Sequence, residues 1–210
     1  MLKDIYFETN YGKLHEEAEG GVCEVFKYDS PEGSIRHMFI KREIPISLDG
    51  TTYWDIITPY EYGGPLVLWC RPGEKDRLIQ GFQQAFREYC LENRIVSEFV
   101  RFHPIIQNAR DFEDCYKPRH SRTTVGTNLK AYADPLMEEF SKSARRVIRR
   151  SLAAGVDFRL AESPEGLGEF QKIYYATMER NKAHDFYYFG ERYFTSCLQY
   201  FKKNIVLVEA

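Results

Sequence analysis

Alternating apolar and polar positions dominate the first part of the chain. Residues 22–28 (VCEVFKY), 34–44 (SIRHMFIKREI) and 51–59 (TTYWDIITP) are rich in β-branched and aromatic side chains, with Ser-Pro-Glu-Gly and Asp-Gly turns between them. Such runs predict three strands of a meander, because branched and ring side chains fit a pleated, half-buried surface. From Pro72 the period changes. Leu78, Phe82, Ala85, Phe86 and Tyr89 recur at helical spacing until Glu92-Asn93-Arg94, predicting an amphipathic helix of about five turns at ~3.6 residues each. Two further runs, 95–102 (IVSEFVRF), ending at His103-Pro104, and 122–129 (RTTVGTNL), predict strands.

A polar, proline-containing link at Ala133-Asp134-Pro135 marks the expected boundary between a first domain, residues 1–133, and a second, residues 134–210. Beyond it, residues 136–155 predict a helix with Gly155 at its C-cap, and VDFRLAE (156–162) a short strand. Ser163-Pro164 is read as the start of another helix, with Leu167, Phe170, Tyr174 and Met178 on one face. A helix around 190–203 leads into NIVLVEA (204–210), whose apolar, β-branched character predicts a buried strand. Strand and helix alternate, so the expected class is α/β, a mixed sheet flanked by helices. A last strand without a following partner leaves an open edge, so either the chain is a fragment or it associates, and a homo-oligomer through that strand is one expectation.

Composition narrows this only at a few points. The formal net charge of −2 gives no global attraction to polyanions, so any such site must be a local patch. The five cysteines, Cys23, Cys70, Cys90, Cys115 and Cys197, lie far apart in neither a CxxC nor a paired metal-ligand spacing. A reducing cytoplasm is the expected location. No apolar run reaches the ~20 residues that cross a bilayer, and MLKDIYFETNYGK lacks the apolar core of a secretory signal. There is no phosphate-cradling glycine loop and no HExxH, so metal and redox chemistry are disfavoured and no metal ligand is assigned.

Four segments could carry chemistry. In TPYEYGGP (58–65), Gly63 and Gly64 permit close backbone approach or positive φ, while Tyr60 and Tyr62 could orient a polar substrate; a tight turn with tyrosines packed at its rim is the equal alternative. In EFVRFHP (98–104), alternation puts Arg101 and His103 on one face, where Arg101 could clamp a phosphate or carboxylate and His103 could move a proton. Their alternative is an internally paired arginine and a histidine that holds the turn before Pro104. Lys142, Arg145, Arg146, Arg149 and Arg150 form one stripe of their helix, opposite Phe140, Ala144, Val147, Ile148 and Leu152. That stripe is a polyanion-binding candidate, although most charged helix faces are simply solvated. In 177–194, Arg180, Lys182, His184 and Asp185 adjoin Tyr187, Tyr188 and Phe189, a loop able to bind a flexible polar ligand or merely to plug onto the core. No Ser or Cys is placed to complete a triad with His184 and Asp185.

Taken together, YWDIITPYEYGGP, IVSEFVRFHPIIQN, ARRVIRRSLAAGV and FQKIYYATMERNKAHDFYYFGERYF resemble the FemAB-like branch of the GNAT acyltransferases over roughly residues 22–210. The resemblance implies a tandem of two GNAT-like domains, the chain stopping within the second, before the strands and helix that carry the acyl-donor pocket. It implies transfer of an aminoacyl or acetyl group to an amine, with a peptidoglycan precursor as a candidate acceptor and aminoacyl-tRNA or acyl-CoA as donor substrate, and no tightly bound cofactor. Such a protein is expected in the cytoplasm, with a peripheral position at the inner face of the membrane open to it. The resemblance places Tyr60, Tyr62, Gly63, Gly64, Arg101, His103, Arg180, Tyr187 and Tyr188 at substrate-facing positions, and it assigns no catalytic residue. Two other expectations compete: a non-catalytic binding module or truncated remnant that retains only the acceptor cleft, and an RNA-binding accessory that uses the basic stripe.

Overall fold

The computed structural model describes residues 4–47 and 50–209; Asp49 of the expected Asp-Gly turn and Ala210 of the last run lie outside the described residues. The chain divides into two compact units, Met1–His120 and Ser121–Ala210, the division falling ahead of the Ala133-Asp134-Pro135 link.

The first unit begins with a 3-10 turn (Ile5–Phe7) and two short helices, α1 (Thr9–Leu14) and α2 (Glu16–Glu19), for which the sequence pattern had suggested no element. Strands β1 (Val22–Ser30) and β2 (Gly33–Glu43) form the expected antiparallel hairpin through Pro31-Glu32. The eleven-residue β2 then serves two partners along its other edge. Its residues Ile40–Glu43 pair with β3 (Trp54–Ile57), and Gly33–Arg36 pair with β4 (Leu66–Cys70), both antiparallel. β3 and β4 therefore share one edge of β2, and residues 58–65 between them leave the sheet. Pro59 and Pro65 bracket that excursion, and neither has an N–H to give to a ladder.

Helix α3 (Lys75–Glu92) carries the chain to β5 (Ile95–Phe99), which lies parallel to β3. α3 is helical where its apolar spacing required, and it buries Leu78, Ile79, Phe82 and Phe86. These pack on the sheet face that presents Ile35, Phe39 and Ile56, with Phe112 closing the cluster just before α4 (Glu113–Tyr116). Each fully buried ring or aliphatic chain of this kind contributes ~1.5–3 kcal/mol. On the opposite face α1 lies so close that a Cβ on Gly12 would come within 2.9 Å of the Met38 sulfur. The expected strand 95–102 stops at Phe99, because its partner leaves the sheet at Thr58-Pro59; only an isolated bridge between Phe102 and Gly63 resumes the pairing.

The second unit holds α5 (Pro135–Glu138), α6 (Lys142–Ala153), β6 (Arg159–Glu162), α7 (Gly168–Asn181), α8 (Glu191–Phe201) and β7 (Val206–Glu209). Ser141 caps α6 by accepting from the Ala144 N–H at 3.2 Å, and Gly155, at φ +76, follows the C-cap Ala154. β6 and β7 pair antiparallel as a two-stranded sheet. Three expectations are corrected here. Residues 122–129 form no strand: all are exposed, and the run alternates no apolar face. The helix expected from Ser163-Pro164 starts at Gly168, because the Ser163 N–H still donates to the Ile205 carbonyl at 2.9 Å and keeps that residue with the sheet. The last strand is not buried: Val206 and Val208 are 56% and 59% exposed, since a two-stranded sheet is covered on one face only.

Candidate functional site

Parallel neighbours release their carboxyl-terminal loops on the same side, and in α/β sheets ligands bind outside those ends. In the first unit this rule selects the loops after β3 and β5, which hold Tyr60, Tyr62, Gly63, Gly64, Arg101 and His103. Backbone bonds lace the two together: the Thr58 N–H to the Phe99 carbonyl at 3.1 Å, and the Gly63 N–H to the Arg101 carbonyl at 2.8 Å. The Arg101 N–H adds a bond to Thr58 Oγ1 at 3.1 Å. Gly64 has φ +86, and a Cβ there would stand 2.7 Å from Val100 Cγ1, so both conformation and space demand glycine. Glu61 also has a positive φ, +71, an uncommon state for a residue with a side chain.

His103 is 3% exposed, and its Nδ1 accepts from the backbone N–H groups of Ile105 at 3.2 Å and Ile106 at 3.1 Å. The neutral ring must then carry its proton on Nε2, which faces Asp4 Oδ2 at 3.5 Å. Burial pushes the imidazole below its ordinary range, and Asp4 works against that shift. Asn108, 1% exposed, accepts from the His103 N–H at 2.9 Å and donates to the carbonyls of Gly63 at 2.9 Å and Pro65 at 3.0 Å.

The N-terminal segment closes over these loops. The Tyr11 hydroxyl donates to the Tyr60 carbonyl at 3.1 Å, and the Tyr6 ring meets the Tyr62 ring edge-on at 5.5 Å. Burial, then the charges of Glu61 and Asp4, raise the Tyr6 phenol. The His15 ring lies tilted against Tyr11 at 4.7 Å and is pushed down to about 4 by burial. The Arg101 side chain, 35% exposed, donates to the Thr58 carbonyl at 3.4 Å, lies over the Phe99 ring at 5.0 Å and stands 4.0 Å from the Glu19 carboxylate.

Arg180, Tyr187 and Tyr188 belong to the second unit. Arg180 lies exposed in the last turn of α7, and both tyrosines are exposed on the loop before α8. That loop is pinned by hydroxyls: Tyr174 donates to the Tyr187 carbonyl, and Tyr175 to the Phe189 carbonyl at 2.6 Å, while Phe189 stacks on Tyr193 at 4.3 Å. His184 Nδ1 accepts from the Phe186 N–H at 3.2 Å, a local turn bond. The basic stripe is formed on α6, but Arg145 donates to the Met137 carbonyl and Arg149 contacts the Met137 sulfur at 2.9 Å. On the stripe's apolar side Val147 and Leu152 are 61% and 54% exposed. A shallow hollow between the β6–β7 sheet and the start of α7, lined by Ala161, Pro164, Gly166, Phe170 and Leu207, contains none of the residues selected from sequence. Among the described residues, no group of three or more His, Cys, Asp or Glu side chains is placed to hold a metal, and no helix is long and apolar enough to cross a membrane.

The structure thus brings together six of the selected residues, Tyr60, Tyr62, Gly63, Gly64, Arg101 and His103, in the first unit, whereas Arg180, Tyr187, Tyr188 and the basic stripe lie in the second. Sequence reasoning did not select Asp4, Tyr6, Tyr11, Glu19 or Asn108. The polar pair Gln107-Asn108 after Pro104-Ile105-Ile106 was the one available sign of the last.

The fold and these loops define a mixed α/β protein with its candidate site at the carboxyl ends of two parallel strands. Residues 109–210 match the model of the FemAB family, and over that stretch the chain is FemAB-like. The match covers just under half of the chain: the second unit and the end of the first. The loops after β3 and β5 precede it. No curated protein and no solved structure matched the chain.

Proposed function

We propose that this chain takes part in peptidoglycan-related acyl transfer, moving an aminoacyl or acetyl group onto an amine of a precursor peptide. The FemAB match over residues 109–210 carries this reading. The loops after β3 and β5 supply the acceptor site: Arg101 offers a partly exposed guanidinium with one side-chain hydrogen bond, to the Thr58 carbonyl, and Tyr60 and Tyr62 lie half-buried on the neighbouring loop. Acyl transfer to an amine needs a neutral nucleophile, donors for the developing oxyanion and close alignment, so positioning dominates such chemistry. The donor is an aminoacyl-tRNA or an acyl-CoA, and for the tRNA the α6 stripe supplies the phosphate contacts.

Incubating the full chain with a peptidoglycan precursor peptide and each donor in turn, with the product mass read directly, tests this. Mass gain by one acyl group on the peptide is the expected result. Saturable precursor binding without any product from either donor would favour the binding-module reading, and neither binding nor product would remove the proposal.

A further inference from the structure

Glu19 ends α2 with its side chain 5% exposed and its Oε1 without a hydrogen-bond partner. A buried carboxylate in that condition needs an electrostatic reason. Two guanidiniums supply it: Arg42 on β2 and Arg101 after β5 each stand 4.0 Å from it, in ionic contact but outside hydrogen-bond reach. They are not equivalent. Arg42 is committed to Asp55 through two bonds, at 2.9 and 2.6 Å, whereas the Arg101 guanidinium makes one long bond to the Thr58 carbonyl. The group sums to neutral, two arginines against Asp55 and Glu19.

Glu19 is also held in place. Gly20 takes the left-handed conformation at φ +71 to end α2, and a Cβ on Gly21 would stand 2.7 Å from Ile40 Cγ2, so the end of α2 sits directly on β2. A ligand reaching the exposed side of Arg101 therefore meets a guanidinium whose field is opposed by a carboxylate fixed 4.0 Å away.

We propose that Glu19 is a specificity-determining residue of the Arg101 site, setting it to accept a singly charged carboxylate and to disfavour a dianion. This rests on the reading of Arg101 as an acceptor contact. The repulsion from Glu19 is proportional to the charge of the ligand, so neutralising Glu19 changes dianion affinity by roughly the square of the factor for a monoanion.

Acetate and sulfate serve as probes, titrated into the full chain and followed at the Arg101 side-chain Nε–H by NMR. Glu19→Gln is expected to tighten acetate about fivefold and sulfate about twenty-five-fold; Glu19→Asp, which keeps the charge, is expected to leave the acetate-to-sulfate ratio of the wild type, and carries the test if the glutamine variant does not fold. Equal gains for the two anions in Glu19→Gln, or no gain, would overturn the role of Glu19; a changed ratio in Glu19→Asp would do the same. No response of Arg101 to either anion in any of the three proteins would instead remove Arg101 as an anion contact.

Discussion

The side-chain amide of Asn108 donates to the Gly63 carbonyl at 2.9 Å, joining the loop after β3 to a turn beyond β5 that lies 45 residues away in sequence. The same amide holds the Pro65 carbonyl and, through its oxygen, the His103 N–H. All three bonds are buried. Replacing Asn108 by Ala leaves two carbonyls and one N–H without partners, and each such group costs ~1–3 kcal/mol. Asn108→Ala is therefore expected to lower the unfolding free energy by about 3 kcal/mol or more in a urea titration, and Asn108→Asp by at least as much, since a carboxylate repels the two carbonyls. A loss below about 0.5 kcal/mol would show that the loops hold their form without it.

Two buried histidines make stability depend on pH. His15 is pushed down to about 4, and His103 is lowered too, both by burial. A histidine whose folded pKa lies below its unfolded value binds its proton more readily when unfolded. Stability is then complete above the unfolded pKa of ~6.5 and falls as pH drops toward the folded value. For His15 the window runs from ~6.5 to about 4, with an order-of-magnitude loss of ~3 kcal/mol across it. Glu19, raised by burial, acts in the opposite sense and is destabilising when ionised. Urea midpoints at pH 7.5, 6, 5 and 4.5 should decline for the wild type. His15→Phe, which keeps a ring against Tyr11, should flatten most of the decline; an unchanged profile would assign the decline to other groups.

Much of the first unit was legible because its sheet and α3 are built from long periodic runs. The hairpin of β1 and β2 and the stripe Leu78, Phe82, Phe86 fall where alternation and helical spacing put them. What was not legible depends on partners. Residues 100–102 have strand-like chemistry, yet their ladder ends with Thr58-Pro59 on a neighbour. Val206 and Val208 read as buried because β-branching reports strand propensity and not the number of covered faces. At the candidate site, the glycines and Arg101 announced themselves by type. Asn108, Glu19 and Tyr6 did not, since their roles come from long-range contacts that no local spacing encodes.

The stretch from Lys117 to Asp134, between α4 and α5, is exposed at every residue, and residues 117–128 carry no regular structure. Proteases cut where backbone is accessible and unpaired. Limited trypsin digestion is expected to cleave first after Arg119 and Arg122, well before Arg77 or Arg87 in α3, leaving fragments near the sizes of the two compact units. Lys117 precedes a proline and should be spared. Intact-mass analysis of an early time point checks this; first cuts inside α3 or α7 would show that the exposed stretch is shielded in solution.

The α6 stripe gives the last prediction, and here the structure changes the expected number. Five cations on one face suggest five phosphate contacts. Arg145 and Arg149, however, are engaged with the carbonyl and sulfur of Met137, so Lys142, Arg146 and Arg150 are the exposed cations of the stripe that make no side-chain hydrogen bond or ion pair among the described residues. Binding to a polyanion releases about 0.7 counterion per phosphate contact on a single strand and about 0.9 on a duplex, so three contacts give a slope of log affinity against log salt of about −2 to −3, and five about −3.5 to −4.5. If the stripe binds tRNA, fluorescence titrations from low to moderate salt should give the smaller slope. Arg146→Glu should weaken binding more than Arg149→Glu, because Arg149 is already turned toward Met137. A slope near zero, or equal losses in the two variants, would return the stripe to the role of a solvated helix face.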